Sequence, residues 1–227
     1  MNYNAHKYLA AISLTSWKAR IGTVYKTLEN LARVCPGFRI VLCLSSDEFP
    51  GMEEDLPNSI YQAIKKYPAI EILWVKKNLK SFKKVIFTAA KYPHLPVISA
   101  DDDCLYRYNY ALILYNKWKS TKNIVYRFNL RNMLITQGPC TIYPPSSIFN
   151  LHDKVLNALT DELIEKSLDD SLITKILQDN NIKIRCATNS RSYPFVFHTD
   201  VDPITKNQRE MKVFRPCFEA ININFSS

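Results

Sequence analysis

Glycine and paired cysteines are scarce in this chain. Only four of the 227 residues are glycine, and neither a G-x-G-x-x-G sequence nor a P-loop is present. This excludes a glycine-rich phosphate loop, so any bound phosphate has to be held by side chains or by a metal ion. The six cysteines include no C-x-x-C pair, which argues against a zinc site. A disulfide framework is not typical of a chain of this length either.

Long apolar runs are absent as well. No uninterrupted run approaches the roughly 18–20 residues of a membrane span. Residues 1–7 lack the apolar core of a signal peptide. Together with reduced thiols, these features predict a cytoplasmic protein. The hydrophobic content of 47% over 227 residues is enough for one domain with a full core.

The charge is strongly unbalanced. The chain has 30 Lys and Arg against 21 Asp and Glu, which gives a net charge of +9. Such a balance indicates anionic partners, namely phosphates, nucleic acid or an acidic membrane surface. It carries no information about the fold.

Strand and helix patterns alternate along the first hundred residues. The spacing predicts strands at 8–14, 38–44, 70–75 and from Val97 onward, with helices at 21–33, 57–66 and 81–91. This order produces right-handed crossovers, so we expect an α/β fold with a mainly parallel sheet flanked by helices. Later segments predict helices at 108–119, 153–166 (broken) and 168–177 and strands at 123–128 and 182–187. Residues 137–145 predict a turn, a short strand and a rigid stop, and a polar, irregular tail begins at Thr188.

The most informative stretch is the apolar run from Val97 to Ala100, which is followed directly by Asp101, Asp102 and Asp103. The run predicts a strand covered on both faces, because such a strand needs no polar alternation. The aspartates then lie at its carboxyl end, where ligands bind in an open α/β sheet. Adjacent carboxylates repel one another, and a divalent cation or basic side chains usually neutralise them. The pattern predicts a metal and phosphate site, and the alternative is a solvated acidic turn.

Four loops should meet at the same edge of the sheet. They follow the first four predicted strands and span residues 15–20, 47–48, 76–84 and 101–103. Because the carboxyl ends of parallel strands share one edge, we expect basic and acidic side chains to converge there. This convergence is the main physical argument for an active site.

Six segments, in this order, resemble the bacterial glycosyltransferases of the A-type fold, and in particular the small transferases of capsule and lipopolysaccharide synthesis. They are Ser13–Ser16 with Arg20, Leu44–Pro50, Leu79–Lys84, Ala100–Asp103, Gly138 with Ile142–Pro145, and Asp169–Asp170. The resemblance spans most of the chain, from Leu9 to Leu177. Trp17-Lys18 and Pro139-Cys140 depart from the usual pattern in ways that affect loop geometry more than chemistry.

The resemblance implies one glycosyltransferase domain over residues 1–227. Residues 1–105 would form the half that binds the nucleotide-sugar, and residues 106–227 the acceptor-binding half with a C-terminal tail. The implied reaction moves a sugar from a nucleoside diphosphate sugar, with a UDP-sugar favoured, to a glycan or lipid-linked acceptor in bacterial surface polysaccharide synthesis. The acidic motif would act with Mn²⁺ or Mg²⁺, because hard oxygen ligands suit these ions. Peripheral contact with the anionic inner membrane is a further expectation.

The same resemblance implies roles for individual residues. The expected contacts to the donor nucleotide are Thr15, Arg20, Asp47, Lys80, Lys84, Asp101 and Asp102. The expected metal ligands are Asp103, Asp101 and His198. The alternatives are ordinary ones: solvated lysines at a helix start, a turn cap for Asp47 and a packed imidazole for His198.

Asp169 and Asp170 are the candidates for the catalytic base, with Asp170 preferred. A carboxylate within hydrogen-bond reach can take the proton that the acceptor hydroxyl loses as it attacks the anomeric carbon. A base on the face opposite the leaving group implies inversion. The alternative is structural, because acids in the first turn of a helix are favourable to its dipole.

Three rival interpretations remain. A sugar nucleotidyltransferase would use a similar sheet, but it normally begins with a glycine-rich loop. A nucleic-acid-binding protein would fit the charge of +9, although the three aspartates would repel a phosphate backbone and no known RNA motif is present. An inactive transferase acting as a partner subunit is the third, and the intact acidic motif speaks against it.

Overall fold

The computed structural model describes residues 8–128, 139–145, 151–188 and 194–198. The strands in these ranges are β1 (Ala11–Thr15), β2 (Arg39–Ser45), β3 (Ile70–Val75), β4 (Val97–Ser99), β5 (Cys104–Tyr106), β6 (Val125–Arg127), β7 (Thr141–Tyr143), β8 (Ile184–Cys186) and β9 (Phe195–Phe197). The helices are α1 (Val24–Val34), α2 (Asn58–Lys66), α3 (Phe82–Lys91), α4 (Tyr110–Thr121), α5 (Leu151–Ala158), α6 (Asp161–Glu165) and α7 (Asp169–Asp179), and Met52–Asp55 form a short 3₁₀ turn.

Seven strands form one central sheet in the order β3-β2-β1-β4-β7-β6-β8. The strands β1 to β4 are parallel to their neighbours, and β6 is parallel to β8. Only β7 runs antiparallel, against both β4 and β6. The predicted α/β fold with a mainly parallel sheet flanked by helices is confirmed.

The sheet is covered on two sides by separate apolar clusters. One cluster joins β1 and β2 to α1, α2 and α4 through residues such as Leu42, Leu28 and Leu114. The other joins α3, α5 and α7 to β4, β6 and β7 through residues such as Ile86 and Val97. Successive residues of a strand point to opposite faces, so buried strands with little polar alternation supply both clusters.

Two short strands were not predicted. Cys104–Tyr106 and Phe195–Phe197 pair antiparallel in a separate two-stranded sheet, with Leu105 opposite Val196. The expectation of an irregular tail after Thr188 is therefore wrong for residues 195–197. Three-residue strands give no periodic signal, and here the pairing partners lie about ninety positions apart in sequence.

The predictions on cysteines, membrane-spanning segments and the two halves of the chain have different outcomes. Cys35, Cys43, Cys104, Cys140 and Cys186 are free thiols, as predicted. Within the described residues, no helix has the length and apolar character needed to cross a membrane. Gly138, Cys217 and the tail beyond residue 198 lie outside the described residues. The division of the chain into halves at residue 105 stays a prediction.

Candidate active site

The candidate site lies where the strand order of the sheet changes direction. From β1 the chain moves outward to β2 and β3, and then returns to place β4 on the other side of β1. In open α/β sheets, ligands bind in the crevice at the carboxyl ends of the two strands that flank this point. Ser16 and Arg20 follow β1, and the three aspartates follow β4. The topology thus sets these five residues at one crevice.

Arg20 holds two of the aspartates. Its Nη1 donates a hydrogen bond to Oδ2 of Asp103 at 2.6 Å, and its Nη2 lies 3.0 Å from Oδ1 of Asp102. Ser16 donates its hydroxyl to the other oxygen of Asp102 at 2.6 Å. Asp102 and Asp103 are buried, so one guanidinium pairs with two carboxylates that have little contact with water and balances the charge of one of them.

Lys84 serves the third aspartate from the opposite side of the crevice. It lies in the first turn of α3, is 5% exposed, and places Nζ 2.9 Å from Oδ1 of Asp101. The same ammonium lies 3.8 Å from Oδ2 of Asp169. Burial on its own would lower the pKa of Lys84, but Asp101, Asp169 and Asp170 outweigh it and raise the pKa. Lys84 is therefore a charged group buried between the two sets of candidate acids.

The buried aspartates hold their protons more tightly than free carboxylates do. Burial raises the pKa of Asp102 to about 6, although Arg20 and Ser16 oppose the shift. Burial and the nearby charge of Asp101 raise the pKa of Asp103 as well. The charge of Asp101 contributes to the raised pKa of Asp103, so the two carboxylates interact electrostatically.

The two candidate bases differ in their surroundings. Both lie in the first turn of α7, as the sequence predicts. Asp169 is buried beside Lys84, and burial raises its pKa. Asp170 is half-buried and close enough to Lys84 to raise the pKa of the ammonium. Asp169 thus forms an internal ion pair, whereas Asp170 lies nearer the surface.

His198 reaches the same crevice from the end of β9. Its backbone N–H donates to the carbonyl of Asp103 at 2.9 Å, and Nε2 lies 2.8 Å from Oγ1 of Thr27. Thr27 also contacts the carbonyl oxygens of Asp102 and Cys104. Burial lowers the pKa of His198, which favours the neutral imidazole. Nδ1 is buried and has no hydrogen-bond partner among the described residues.

Three residues that the sequence did not single out connect the other loops. Glu48, after β2, accepts hydrogen bonds from the backbone N–H of Lys18 at 3.2 Å and from Asn78 at 3.1 Å. Buried Lys83 donates to Asn78 at 2.8 Å and lies 3.9 Å from Glu48. The loops after β1, β2 and β3 are thereby tied together. Burial distinguishes Lys83 and Lys84 from the other lysines of this segment, and burial is known only once the fold is known.

Three other predicted donor contacts, Thr15, Asp47 and Lys80, have partners other than the aspartates. Thr15 donates its hydroxyl to the carbonyl of Cys43 at 2.7 Å. Asp47 is exposed and bonds Lys76 through its backbone. Lys80 directs Nζ to Glu165 at 2.8 Å. The structure thus brings Arg20, Lys84, Asp169 and the three aspartates together. Among the described residues, Thr15, Asp47 and Lys80 do not take part in the ion pairs of this group.

The candidate metal ligands at this site include some of the oxygen atoms that a hard divalent cation prefers, but they do not form a complete ligand set. The described residues contain no group of three His, Cys, Asp or Glu side chains arranged around one point, so Asp101, Asp103 and His198 are not a preformed ligand set. Asp101 and Asp103 nevertheless offer two interacting carboxylates, and Oδ2 of Asp101 accepts no hydrogen bond from any described residue. Hard oxygen donors of this kind fit Mn²⁺ or Mg²⁺.

Comparison with known proteins supports the fold. No protein-family model matches the chain, and no curated protein sequence matches it. The crystal structure of S. aureus TarS 1–349 in complex with UDP-GlcNAc is similar, with a TM-score of 0.59 at 13% sequence identity. The match covers 93% of this chain and 63% of that chain, so this chain spans less than two thirds of the TarS fragment. The fold is therefore shared with a solved nucleotide-sugar complex.

A second solved structure shows a weaker likeness. It is the mannosyltransferase PcManGT from Pyrobaculum calidifontis in complex with GDP-Man and Mn²⁺, with a TM-score of 0.46 at 13% identity. The match covers 66% of this chain and 50% of that chain.

The raised pKa of Asp102 predicts a specific pH dependence of stability. The folded state binds this proton up to a pH of about 6, whereas an unfolded Asp releases it near about 3.9. Raising the pH through this interval therefore costs stability, by roughly 3 kcal/mol from this residue. We expect Asp102→Asn to flatten the fall in unfolding free energy between pH 4 and 6, as measured by urea denaturation. Asp47→Asn is the control and should keep the wild-type slope.

The ion pairs of Lys84 predict a large loss of stability when its charge is removed. Lys84→Met should cost about 3–5 kcal/mol, because it leaves buried carboxylates without their cation. Lys80→Met is the matched control. The side chain of Lys80 is 35% exposed and its partner Glu165 is 74% exposed, so we expect a cost of about 0.2–1 kcal/mol. If both variants lose the same free energy of unfolding in urea denaturation, the buried ion pairs of Lys84 contribute no more stability than the exposed pair of Lys80.

Proposed function

We propose that this protein is a glycosyltransferase that moves a sugar from a nucleoside diphosphate sugar to a glycan or lipid-linked acceptor. A UDP-sugar is the favoured donor, Mn²⁺ or Mg²⁺ the cofactor, and bacterial surface polysaccharide synthesis the setting. The observation that carries the proposal is the meeting of Arg20, Lys84 and three aspartates at the strand-order change of the sheet. The fold shared with TarS, which was solved with UDP-GlcNAc, supports it.

The arrangement of charges suits a diphosphate leaving group. A cation bound by Asp101 and Asp103 would supply Lewis-acid chemistry by neutralising the negative charge that develops on the departing diphosphate. Arg20 lowers the pKa of Asp102 and Asp103 and so opposes the protonation that their burial favours. Lys84 pairs with Asp101 at 2.9 Å. We assign Thr15, Asp47 and Lys80 to the surrounding donor cleft, and His198 to the metal through its unpartnered Nδ1.

Asp170 is the proposed base. An acceptor hydroxyl has to give up its proton as it attacks, and a carboxylate that reaches the surface can accept it. Asp170 is half-buried, whereas Asp169 is buried against Lys84, so the accessible oxygen belongs to Asp170. The base is carried by α7 and the diphosphate ligands by the loops after β1 and β4. Attack from a face separate from the leaving group gives inversion at the anomeric carbon.

Binding of UDP should depend on a divalent ion and on the aspartates. By calorimetry with and without Mn²⁺, we expect wild-type protein to bind UDP at least about tenfold more tightly with the ion, because the ion screens diphosphate from carboxylates. Asp101→Asn and Asp103→Asn should lose this gain. Asp153→Asn is the control, since the side chain of Asp153 is 83% exposed and pairs with His152, outside the candidate site.

Two outcomes would count against the proposal. If the affinity for UDP is unchanged by Mn²⁺ and by both substitutions, the proposed metal-dependent site is wrong. If the protein neither hydrolyses nor transfers a sugar from any member of a panel of nucleotide-sugars, the proposed activity is wrong. Formation of pyrophosphate with a nucleoside triphosphate would indicate a nucleotidyltransferase instead.

The base assignment makes a separate prediction. Asp170→Asn should lower the transfer rate by about 10²–10⁴-fold, the contribution typical of a general base, while UDP affinity stays within about twofold. Asp169→Asn should weaken folding more than Asp170→Asn, because Asp169 is the buried partner of Lys84. The measurements are steady-state transfer with the best donor of the panel and urea denaturation. Wild-type rates in both variants would rule out both aspartates.

A further inference from the structure

A surface around helix α4 combines exposed apolar side chains with exposed positive charge. Its apolar part is Tyr108, Leu112 and Ile113, which are 67%, 37% and 40% exposed. Its basic part is Arg107, Lys117, Lys119 and Lys122, all of them exposed. We call these seven residues the α4 surface.

Within the part of the chain that the structure describes, the positive charge of the α4 surface has no paired counter-charge. No Asp or Glu occurs between residues 104 and 152 of the sequence. None of the four basic side chains of the α4 surface forms an ion pair with a described residue. Exposed lysines elsewhere do form ion pairs, for example Lys66 with Glu29 and Lys175 with Asp179. The α4 surface is therefore a concentration of exposed positive charge that the described residues leave unpaired, and such charge suits an anionic partner.

The apolar side chains of the α4 surface indicate which class of anionic partner it suits, a lipid layer or a nucleic acid. Positive charge alone would suit phosphates of any kind, including those of nucleic acid. Leu112 and Ile113 on the outside of a helix gain nothing from a phosphate backbone. They gain free energy in the acyl boundary of a lipid layer, while the flexible lysines one and two turns later reach the headgroups. Tyr108 suits the same boundary because its ring is apolar and its hydroxyl polar.

We propose that the α4 surface docks on an anionic lipid membrane. Lysine and arginine side chains near such a membrane each add to the attraction, and apolar insertion adds to it independently. The surface is connected to the candidate active site by β5. Tyr106, two residues before Tyr108, accepts a hydrogen bond at 2.7 Å from the backbone N–H of Asp101. Docking here would thus bring the crevice close to the lipid layer without needing any transferase activity.

Vesicle co-sedimentation of the full chain tests the proposal. The probes are vesicles of phosphatidylcholine alone and vesicles with about one third phosphatidylglycerol, at low and at high salt. We expect binding to the anionic vesicles only, with a loss of at least about fivefold at high salt, since salt screens exposed charges. No binding to anionic vesicles, or equal binding to both kinds, would overturn the proposal.

Paired variants locate the contact. Lys117→Glu with Lys119→Glu, and separately Leu112→Ser with Ile113→Ser, should each weaken binding by about tenfold or more. Lys65→Glu with Lys66→Glu makes the same charge change on α2, at exposed residues of a different helix, and should weaken it by less than about twofold. If this control weakens binding as much as the α4 variants do, the attraction is a property of net charge and the α4 assignment is wrong.

Two further measurements keep the result interpretable. Circular dichroism melting of each variant shows whether it is folded, and all four lysine positions are exposed, so we expect wild-type melting for both charge variants. Binding of a fluorescent single-stranded RNA serves as the rival partner. RNA binding that the α4 variants abolish, together with vesicle binding that they leave intact, would overturn the lipid assignment. The vesicle assay contains no nucleotide, so its outcome is independent of the proposed transferase activity.

Discussion

Three consecutive carboxylates at one strand end repel one another, and the rest of the site is built around that repulsion. Asp102 and Asp103 are buried, so water cannot screen them and their protonated forms are favoured. Arg20 spans both, and Lys84 faces Asp101 from the other side. A guanidinium suits the paired acids because its planar fork donates to two carboxylates at once.

The architecture of the sheet supplies these cations. Arg20 arrives on the loop after β1 and Lys84 on the first turn of the helix after β3, and both end beside the loop after β4. The same lysine lies against Asp169 at the start of α7. Lys84 thus joins Asp101, a proposed metal ligand, to Asp169, the neighbour of the proposed base Asp170. Because its ammonium is buried between these two carboxylates, Lys84 is a structural link between the loop after β4 and the start of α7.

The cluster can be predicted from charge and position in the sequence, but the roles of neighbouring residues within it cannot. Lys80 and Lys84 are indistinguishable in the sequence of a lysine-rich loop. In the structure, Lys80 pairs at the surface with Glu165, whereas Lys84 is buried between aspartates. Asp47 and Glu48 are adjacent acids, and it is Glu48 that joins the loops. Helical phase and turn geometry decide which of two neighbours points inward, and neither can be read to one residue from composition and spacing.

Local sequence patterns predict the fold class, the order of the first four strands along the chain, the edge of the sheet at which the aspartates lie and the helix that carries Asp169 and Asp170. These follow from local periodicity and from the handedness of crossovers, which are short-range properties. Other contacts are known from the three-dimensional fold alone: Arg20 pairs with two aspartates, Thr27 contacts the aspartate loop and His198, and β5 pairs with β9. Those contacts join residues tens to more than a hundred positions apart. Their partners are selected by packing and burial in the finished fold, which no local pattern encodes.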